Sequence, residues 1–459
     1  MITFQDLQQN STNDAQKMDY VLNIINNHKA SDLYKIGRIA DEYYKKRNVT
    51  LINYQKLLTT LSGNRVVDKW SPNHKVTSGF FKRFVTQQNQ YLLGNGITWD
   101  ENPWADDKSK ARFDKALRDA GLNSLIGGVS FGFWNYDHMD VFKITEFAPL
   151  FDEENGSLRA GVRFWQLDDK KPLRATLYEE DGYTEYRWKD GKGEIIKDKK
   201  PYIEITVQTD VDGTEIMDGE NYPSFPIVPC WGNPEKQSEL VGIREGIDVY
   251  DFVKNGFAND LDNAQLYWII KGAGGMDDPD LVQFLERLKL VGAAAPAEGQ
   301  DVQAVTVDLP FNARETLLTR LENDLYRDYQ ALNLADIKSG SVVNAQIKAA
   351  YEPVNSKADD FEYNILDFLD GILSLAGIDA TATFTRSVIV NTSEEIMAVL
   401  SAAQVLPEDY VTKKIVTLLG DGDQADELSA QAAADNIMFE RENENGYSTQ
   451  GNGQDINEY

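Results

Sequence analysis

The sequence predicts an α+β protein, mainly helical, with one β-rich insert, and three observations lead there. From Ile347 the apolar residues fall at Ile347, Tyr351, Val354, Ala358, Phe361, Ile365, Phe368, Ile372 and Leu375. Those unbroken steps of four and three are the seam of an amphipathic helix that packs along its whole length. Between Val129 and Pro229 the period drops to two, and Asp181-Gly182, Asp190-Gly191 and Asp212-Gly213 supply hairpin turns. Two further helical stripes, Ile243 to Trp268 and Leu317 to Leu332, flank a turn-rich excursion.

Taken in order, residues 17–62 read as helices separated by polar breaks, with Ser31 and Asp32 as caps. Tyr43-Tyr44-Lys45-Lys46-Arg47 reads as a helix end with cations near its C-terminus. Phe80 to Leu93 is an apolar helix stopped at Gly94-Asn95-Gly96. That Gly-x-Gly closes a helix and lacks a third glycine, so it is no nucleotide fingerprint. Lys108 to Leu122 is another short helix.

Strands are expected at Val129–Trp134, Val141–Ile144, Gly161–Leu167, Ala175–Glu179, Tyr183–Trp188 and Tyr202–Val207. The charged runs Asp168–Lys171 and Lys197–Lys200 read as hairpin tips, and Pro223, Pro226 and Pro229 lead the chain out of the sheet.

The stripe from Ile243 to Trp268 predicts a helix of about eight turns, closed by Gly272 to Gly275. A short helix follows from Asp278 to Leu290, then a strand from Val302 to Leu309 and a helix through Leu332. The loop Asn333–Val343 leads into the long helix, whose some 30 residues span roughly 45 Å. Pro353 lies about two turns inside it, where a missing N–H should kink the axis. Beyond Gly377 the pattern predicts a strand at Ala380–Val390 and helices at Glu394–Leu406 and Asp409–Leu419, broken at Pro407. An amphipathic piece at Leu428–Phe439 precedes a polar tail, Glu440–Tyr459, expected to be disordered.

Bulk properties narrow the function. The 459 residues allow about two or three domains. Net charge is −28, and Asp421–Tyr459 holds ten acids against one base. This balance excludes a tight grip on nucleic acid, which needs a basic surface. The single Cys230 excludes an intrachain disulfide framework and a Cys-based zinc site, and beside Trp231 it reads as a small buried apolar residue. No apolar run approaches membrane-spanning length. The polar start Met1–Asp14 lacks a signal-peptide layout, so a cytoplasmic origin is expected.

The search for chemistry returns negatives. His28, His74 and His138 lie in unrelated contexts, and no zinc-protease, phosphate-loop or nucleophile-elbow motif occurs. Asp277-Asp278-x-Asp280 reads as carboxylates capping a helix at Pro279. Asp359-Asp360 and Glu394-Glu395 read as helix-surface or helix-start residues. No catalytic, cofactor or metal site is assigned. Three long stripes instead suggest packing against neighbouring copies, and head-to-tail contacts that close make rings.

The order of elements resembles the portal proteins of tailed bacteriophages, in the subgroup common to long-tailed phages, over residues 20–420. The resemblance rests on Tyr43-Tyr44 and on Phe80 to Ile97 with Tyr91-Leu92-Leu93-Gly94. It rests further on Ile247-Asp248-Val249-Tyr250-Asp251 and on Asn344-Ala345-Gln346-Ile347-Lys348-Ala349-Ala350-Tyr351. Ser339-Gly340-Ser341-Val342-Val343 departs from the commoner Ser-Gly-Val-Ala-Leu.

Portal-protein architecture would then place a wing at 1–236, a first stem helix at 237–275, a clip at 276–310 and a second stem helix at 311–332. A tunnel loop at 333–344, a long kinked wing helix at 345–378, a wing return with crown helices at 379–439 and the acidic tail at 440–459 complete it. The resemblance implies a dodecameric ring at one capsid vertex of the virion, a channel for double-stranded DNA in packaging and ejection. Its implied partners are the terminase large subunit, the head-completion adaptor and the major capsid and scaffolding proteins, with no cofactor and no membrane.

Asp336, Lys338, Ser339, Ser341, Asn344 and Lys348 become channel candidates, with Pro353 the kink. Lys338 is the only cation of the loop. It reads either as a transient DNA contact or as a solvated lysine, or one paired with Asp336. Two other readings stay open: a neck or connector ring that does not conduct DNA, and a carbohydrate-active enzyme using Trp165, Trp188 and Trp231.

Overall fold

The computed structural model describes all residues except 1, 12, 60–63, 70, 210–214, 264–266, 272–300, 306–310, 334–343, 389–391 and 432–459. The chain divides into two units, one of residues 1–331 with 357–386 and the other of 332–356 with 387–459. The elements are a mixture of helices and antiparallel strands, an α+β fold.

The first unit begins with the helices Phe4–Gln9, Asp14–Ala30 and Asp32–Tyr44. Ser31 ends one and starts the next: its hydroxyl donates to the His28 carbonyl at 2.6 Å and accepts from the Tyr34 N–H at 3.3 Å. Val21, Ile24 and Ile25 then pack on Ala148, Leu150, Ala160, Val162 and Leu177 of the large sheet.

That sheet is a five-stranded antiparallel meander: Phe147–Phe151, Leu158–Trp165, Leu173–Glu179, Gly182–Lys189 and Lys192–Lys200. Its buried positions alternate along Gly182–Lys189, as a one-sided strand requires. Lys197–Lys200 is not a hairpin tip but the end of the outermost strand, where lysines discourage pairing with another chain. Phe147–Phe151 escapes the period-two reading because four of its five residues are buried, which erases the alternation.

A three-stranded sheet has Val129–Asn135 at its centre, between Ile227–Trp231 and His138–Lys143. Ile227–Trp231 corrects the expectation that prolines lead the chain away here. Pro229 stands opposite Phe131 on an edge strand, where a missing N–H leaves no central ladder bond unmade. Aromatic side chains fill the space beside this sheet, with Phe131 and Phe147 ring centroids 4.5 Å apart.

The largest cluster of buried residues is helical. Phe80–Leu93 has its expected limits, and Asp107–Gly127 runs longer than its sequence pattern suggests. Gly121 does not break that helix; a Cβ there would meet Asn89 Oδ1 at 2.7 Å and Leu93 Cδ1 at 2.9 Å. Its absence permits close approach of the Phe80–Leu93 helix, and the chain stops only at Gly128, with φ of 87°.

Arg244–Asn263 is shorter than its stripe predicts. Trp268 lies not on that helix but on the strand Tyr267–Lys271, which pairs with Asp301–Val305. Tyr-Trp-Ile-Ile is a run of strong strand formers, and this local preference overrides the helical spacing. The expected short helix Asp278–Leu290 lies outside the described residues.

Phe311–Tyr329 ends three residues before Leu332, because Gln330 takes φ of 62° and the Ala331 N–H turns back to the Tyr326 carbonyl at 2.9 Å. Asn344–Ala376 is a 33-residue helix that contains Pro353. All nine residues of its stripe are buried, from Ile365 at 0% exposed to Val354 and Leu375 at 7%. Among the described residues of the predicted strand at Ala380–Val390, Ala382–Phe384 is the part that forms a strand, paired with Ile97–Trp99. Arg386, just beyond, instead reaches Asp359 at 2.5 Å and Glu362 at 2.7 Å.

In the second unit Thr392–Ala402 and Glu408–Leu419 are helices, with Pro407 at the N-cap of the latter. Met397, Leu400, Val405, Tyr410 and Leu419 on or between them are exposed. The Leu428–Phe439 piece is described only as far as residue 431, and the acidic tail lies outside the described residues.

Candidate functional site

The two shorter long helices, Arg244–Asn263 and Phe311–Tyr329, pack on each other and are fastened at their bases. Phe257 meets Phe311 edge-on at 5.5 Å, and Arg314 pairs with Asp260 at 2.5 Å. Lower down, Phe80 lies against Tyr250 at 4.9 Å, and Arg83 donates to the Tyr326 hydroxyl at 2.5 Å.

One face of Arg244–Asn263 is given over to amide chemistry. Asp251, Asn255 and Asn259 recur every fourth residue and therefore form a row. Asp251 accepts from the Ser78 N–H at 2.9 Å and from the Asn48 amide. Asn255 accepts from the Val76 N–H at 2.7 Å and donates to the Val76 carbonyl at 3.0 Å. Asn259 accepts from the His74 N–H at 2.7 Å, and the His74 ring meets Asp262. The extended segment His74–Ser78 is thereby strapped along the helix. Burial is the main cause holding the Asp251 carboxyl above the usual carboxylate range, and its bonds to Asn48 and Ser78 oppose this.

The second fastening gathers the base of Phe311–Tyr329. A helix leaves its last carbonyls without partners. Here the Lys357 ammonium donates to the Tyr329 carbonyl at 3.1 Å and lies 3.5 Å from the Tyr329 ring centroid. It also donates to Glu239 Oε2 at 2.6 Å, while Glu239 Oε1 accepts from the Asn233 amide at 2.9 Å. The Tyr329 hydroxyl donates to Gln88 Oε1 at 2.6 Å, and its ring stacks on Phe84 at 4.8 Å.

Tyr329 is 2% exposed and Glu239 8%. Burial, then the Glu239 charge, pushes the Tyr329 phenol well above its usual range, so it acts as a neutral donor. A cleft of about 200 Å³ borders this cluster, lined in part by Gln88, Asn233, Glu239, Gln330, Lys357 and Asp360.

Of the residues singled out by sequence, Asp336, Lys338, Ser339 and Ser341 lie outside the described residues. Asn344 opens the long helix, and its N–H donates to Glu394 Oε2 at 2.8 Å. Lys348 and Pro353 are exposed on that helix. Asp277, Asp278 and Asp280 also lie outside the described residues.

Sequence reasoning missed Glu239, Gln88 and Lys357. Gln88 carried a signal, since a polar residue among Phe81, Phe84, Val85, Tyr91 and Leu92 occupies the buried face of its helix.

Among the described residues the three histidines and Cys230 do not come together. His28 meets the Ile144 carbonyl at 2.8 Å, His74 bonds Asp262, and His138 lies by Asp137 at 2.6 Å and Asp140 at 3.6 Å. Cys230 is buried, which pushes its thiol up to about 12 and makes it inert. Trp188 belongs to the sheet core, Trp165 lies by Arg163, and Trp231 lies under Lys236. Among the described residues no group of carboxylates, histidines or cysteines could hold a metal ion, and no helix is long and apolar enough to cross a membrane.

Residues 22–438 match the family model described as phage portal protein, SPP1 Gp6-like. The portal protein of Bacillus phage SPP1 is 23% identical over 378 residues, covering 74% of this chain and 72% of that protein. The portal protein of Clostridium phage phiCD119 is 24% identical over 290 residues, covering 60% of this chain and 62% of that protein's length. Among solved structures, a chain from the neck of an empty gene transfer agent particle computed with C6 symmetry aligns at TM-score 0.40 and 13% identity. That alignment covers 74% of this chain and 90% of the other. A chain from the neck of the native particle computed with C12 symmetry aligns at TM-score 0.39 and 13% identity, covering 73% and 89%.

Proposed function

The chain belongs to the SPP1 Gp6-like family of phage portal proteins, and on that premise we propose that it assembles into a homo-oligomeric ring that conducts double-stranded DNA. The observation that carries this reading is the family match across residues 22–438. In this reading the ring occupies one capsid vertex, serves both packaging and ejection, and is structural. The terminase large subunit docks on it during filling and the head-completion adaptor afterwards, while major capsid and scaffolding proteins surround it.

Arg244–Asn263 and Phe311–Tyr329 are the stem helices. Residues 276–310, which include the strand Asp301–Val305, are the clip that meets those partners, and Tyr267–Lys271 at the end of the 237–275 stem segment pairs with that strand. Residues 333–344, with Asp336, Lys338, Ser339, Ser341 and Asn344, form the tunnel loop, and Lys348 follows it. A chain of charge −28 suits this task, because a duplex that must slide should find few phosphate clamps.

Native mass measurement and negative-stain imaging test the reading. The expected particle is a ring of about twelve subunits with an axial hole, closed by head-to-tail contacts. A stable monomer at every salt concentration would overturn it.

A further inference from the structure

We infer that Lys357 is a positioning residue for residues 332–356, holding the point where that segment leaves the first unit to the point where it returns. The first unit runs to Ala331 and resumes at Lys357. Tyr329 and Lys357 are 28 residues apart in the chain, yet Lys357 Nζ donates to the Tyr329 carbonyl at 3.1 Å. The two ends of the excursion are therefore tied by one side chain.

The tie is built from charge rather than packing. An ammonium offers three donors in compact geometry. One reaches the Tyr329 carbonyl, one reaches Glu239 Oε2 at 2.6 Å, and the cation faces the Tyr329 ring at 3.5 Å. A methionine of similar length would still cover the ring but could not hold the carbonyl.

Glu239 extends the tie. Its backbone N–H donates to the Leu125 carbonyl at 3.0 Å, which fixes it to the end of the Asp107–Gly127 helix. Its side chain lies five residues before the start of Arg244–Asn263. One cation thus joins the C-terminal end of one stem helix, the approach to the other, and the long helix at its re-entry into the unit. Of the channel candidates, Asn344, Lys348 and Pro353 lie among the described residues of that segment. Assigning that segment to the DNA channel rests on the portal reading; the positioning role does not.

The experiment uses full-length protein, as Lys357→Met, Lys357→Arg and Glu239→Gln, with oligomeric state followed by native mass. Amide hydrogen exchange is read in peptides from the described helical part of 332–356, residues 344–356, against Phe80–Leu93 and the Phe147–Lys200 sheet as internal references. For Lys357→Met, exchange in 344–356 should rise at least about tenfold while the references stay unchanged, as a local opening does. Lys357→Arg should restore most of the protection.

Wild-type exchange in 344–356 for Lys357→Met, or an equal rise throughout the unit, would overturn the inference. If Lys357→Met does not fold, Lys357→Gln, which has no ammonium to hold the Tyr329 carbonyl and Glu239 together, is read by the same two outcomes, while Glu239→Gln, which keeps the carbonyl bond, should raise exchange in the segment less than either. The length of DNA packaged by particles carrying each variant separates the two proposals. Faster exchange in intact rings with unchanged packaging would leave Lys357 a positioning residue and remove the segment from the channel.

Discussion

Asn255 and Val76 hydrogen-bond to each other twice, carboxamide to peptide in both directions, at 2.7 and 3.0 Å. The side chain of a helix thereby acts as a strand neighbour for an extended segment that has no sheet to join. Asn255 is 2% exposed, so its amide is committed to these bonds, whereas Val76 is 53% exposed and its peptide groups lie near water.

Asn255→Leu is expected to leave two peptide groups of Val76 unpaired. The cost should be about 1–2 kcal/mol, near the net worth of about 0.5–1.5 for each hydrogen bond lost, because the half-exposed Val76 can be rehydrated. Urea unfolding measures it. A loss below about 0.5 kcal/mol, the level of an ordinary surface change, would mean that the strap does not hold the helix.

How much of this was legible depends on the range of the forces. The nine-residue stripe of Asn344–Ala376 was readable because burial on one side of a helix writes a period into the chain. The strand Tyr267–Lys271 departs from the sequence expectation because Trp268 also satisfies the helical spacing of the stripe from Ile243, and only the β-branched and aromatic character of its neighbours separates the two. The fastening of Tyr329 by Lys357 and Gln88 was beyond reach. Its partners lie 28 and 241 residues away, and a hydrogen bond across such distances leaves no periodic trace. Ser31 was legible for the opposite reason, since a cap bonds within its own turn.

Asp251 should make stability depend on pH. Burial raises its carboxyl above the unfolded value of 3.8, so the folded state binds its proton more tightly than the unfolded chain does. Below 3.8 both states hold the proton and this group contributes nothing to the pH dependence. As pH rises through the folded pKa, the wild type loses stability relative to Asp251→Asn. Urea midpoints of the two proteins at one pH below 3.8 and at one near neutrality measure the difference. A gap that is constant, or that moves in the wild type's favour with rising pH, contradicts this.

Tyr329→Phe isolates another part of the fastening. The ring stays beneath the Lys357 ammonium and the backbone carbonyl is untouched, while Gln88 Oε1 loses its donor at 2.6 Å. The expected cost is about 1–3 kcal/mol for a buried acceptor left unpaired. Thermal unfolding should show it, with amide exchange in 344–356 remaining near wild type because the tie to Lys357 persists.

Gly121→Ala tests the close approach of two helices. Its Cβ would meet Asn89 Oδ1, Leu93 Cδ1 and Phe361 Cζ at 2.7, 2.9 and 3.1 Å. Alanine ordinarily stabilises a helix interior by about 1 kcal/mol relative to glycine, whereas overpacking costs about 1–3 kcal/mol. Three neighbours inside contact distance decide the sign, so the variant should have a lower melting temperature. A higher one would show that the Asn89 side chain yields freely.

Pro353 is exposed within the long helix, so its replacement disturbs little packing. Pro353→Ala restores an N–H that can reach the carbonyl of Ala349, four residues back. A proline inside a helix costs about 3 kcal/mol relative to alanine, and the restored freedom of the unfolded chain returns about 0.4–1 of this. The local gain should therefore be about 2 kcal/mol, and amide exchange around 349–357 should slow correspondingly. If Pro353 is a pivot between the channel loop and the rest of the long helix, the stiffer variant should form rings yet package shorter DNA. Slower exchange with wild-type packaging would mean that the ring works without bending at this position, and the proline would then be only a tolerated weakness in an exposed turn.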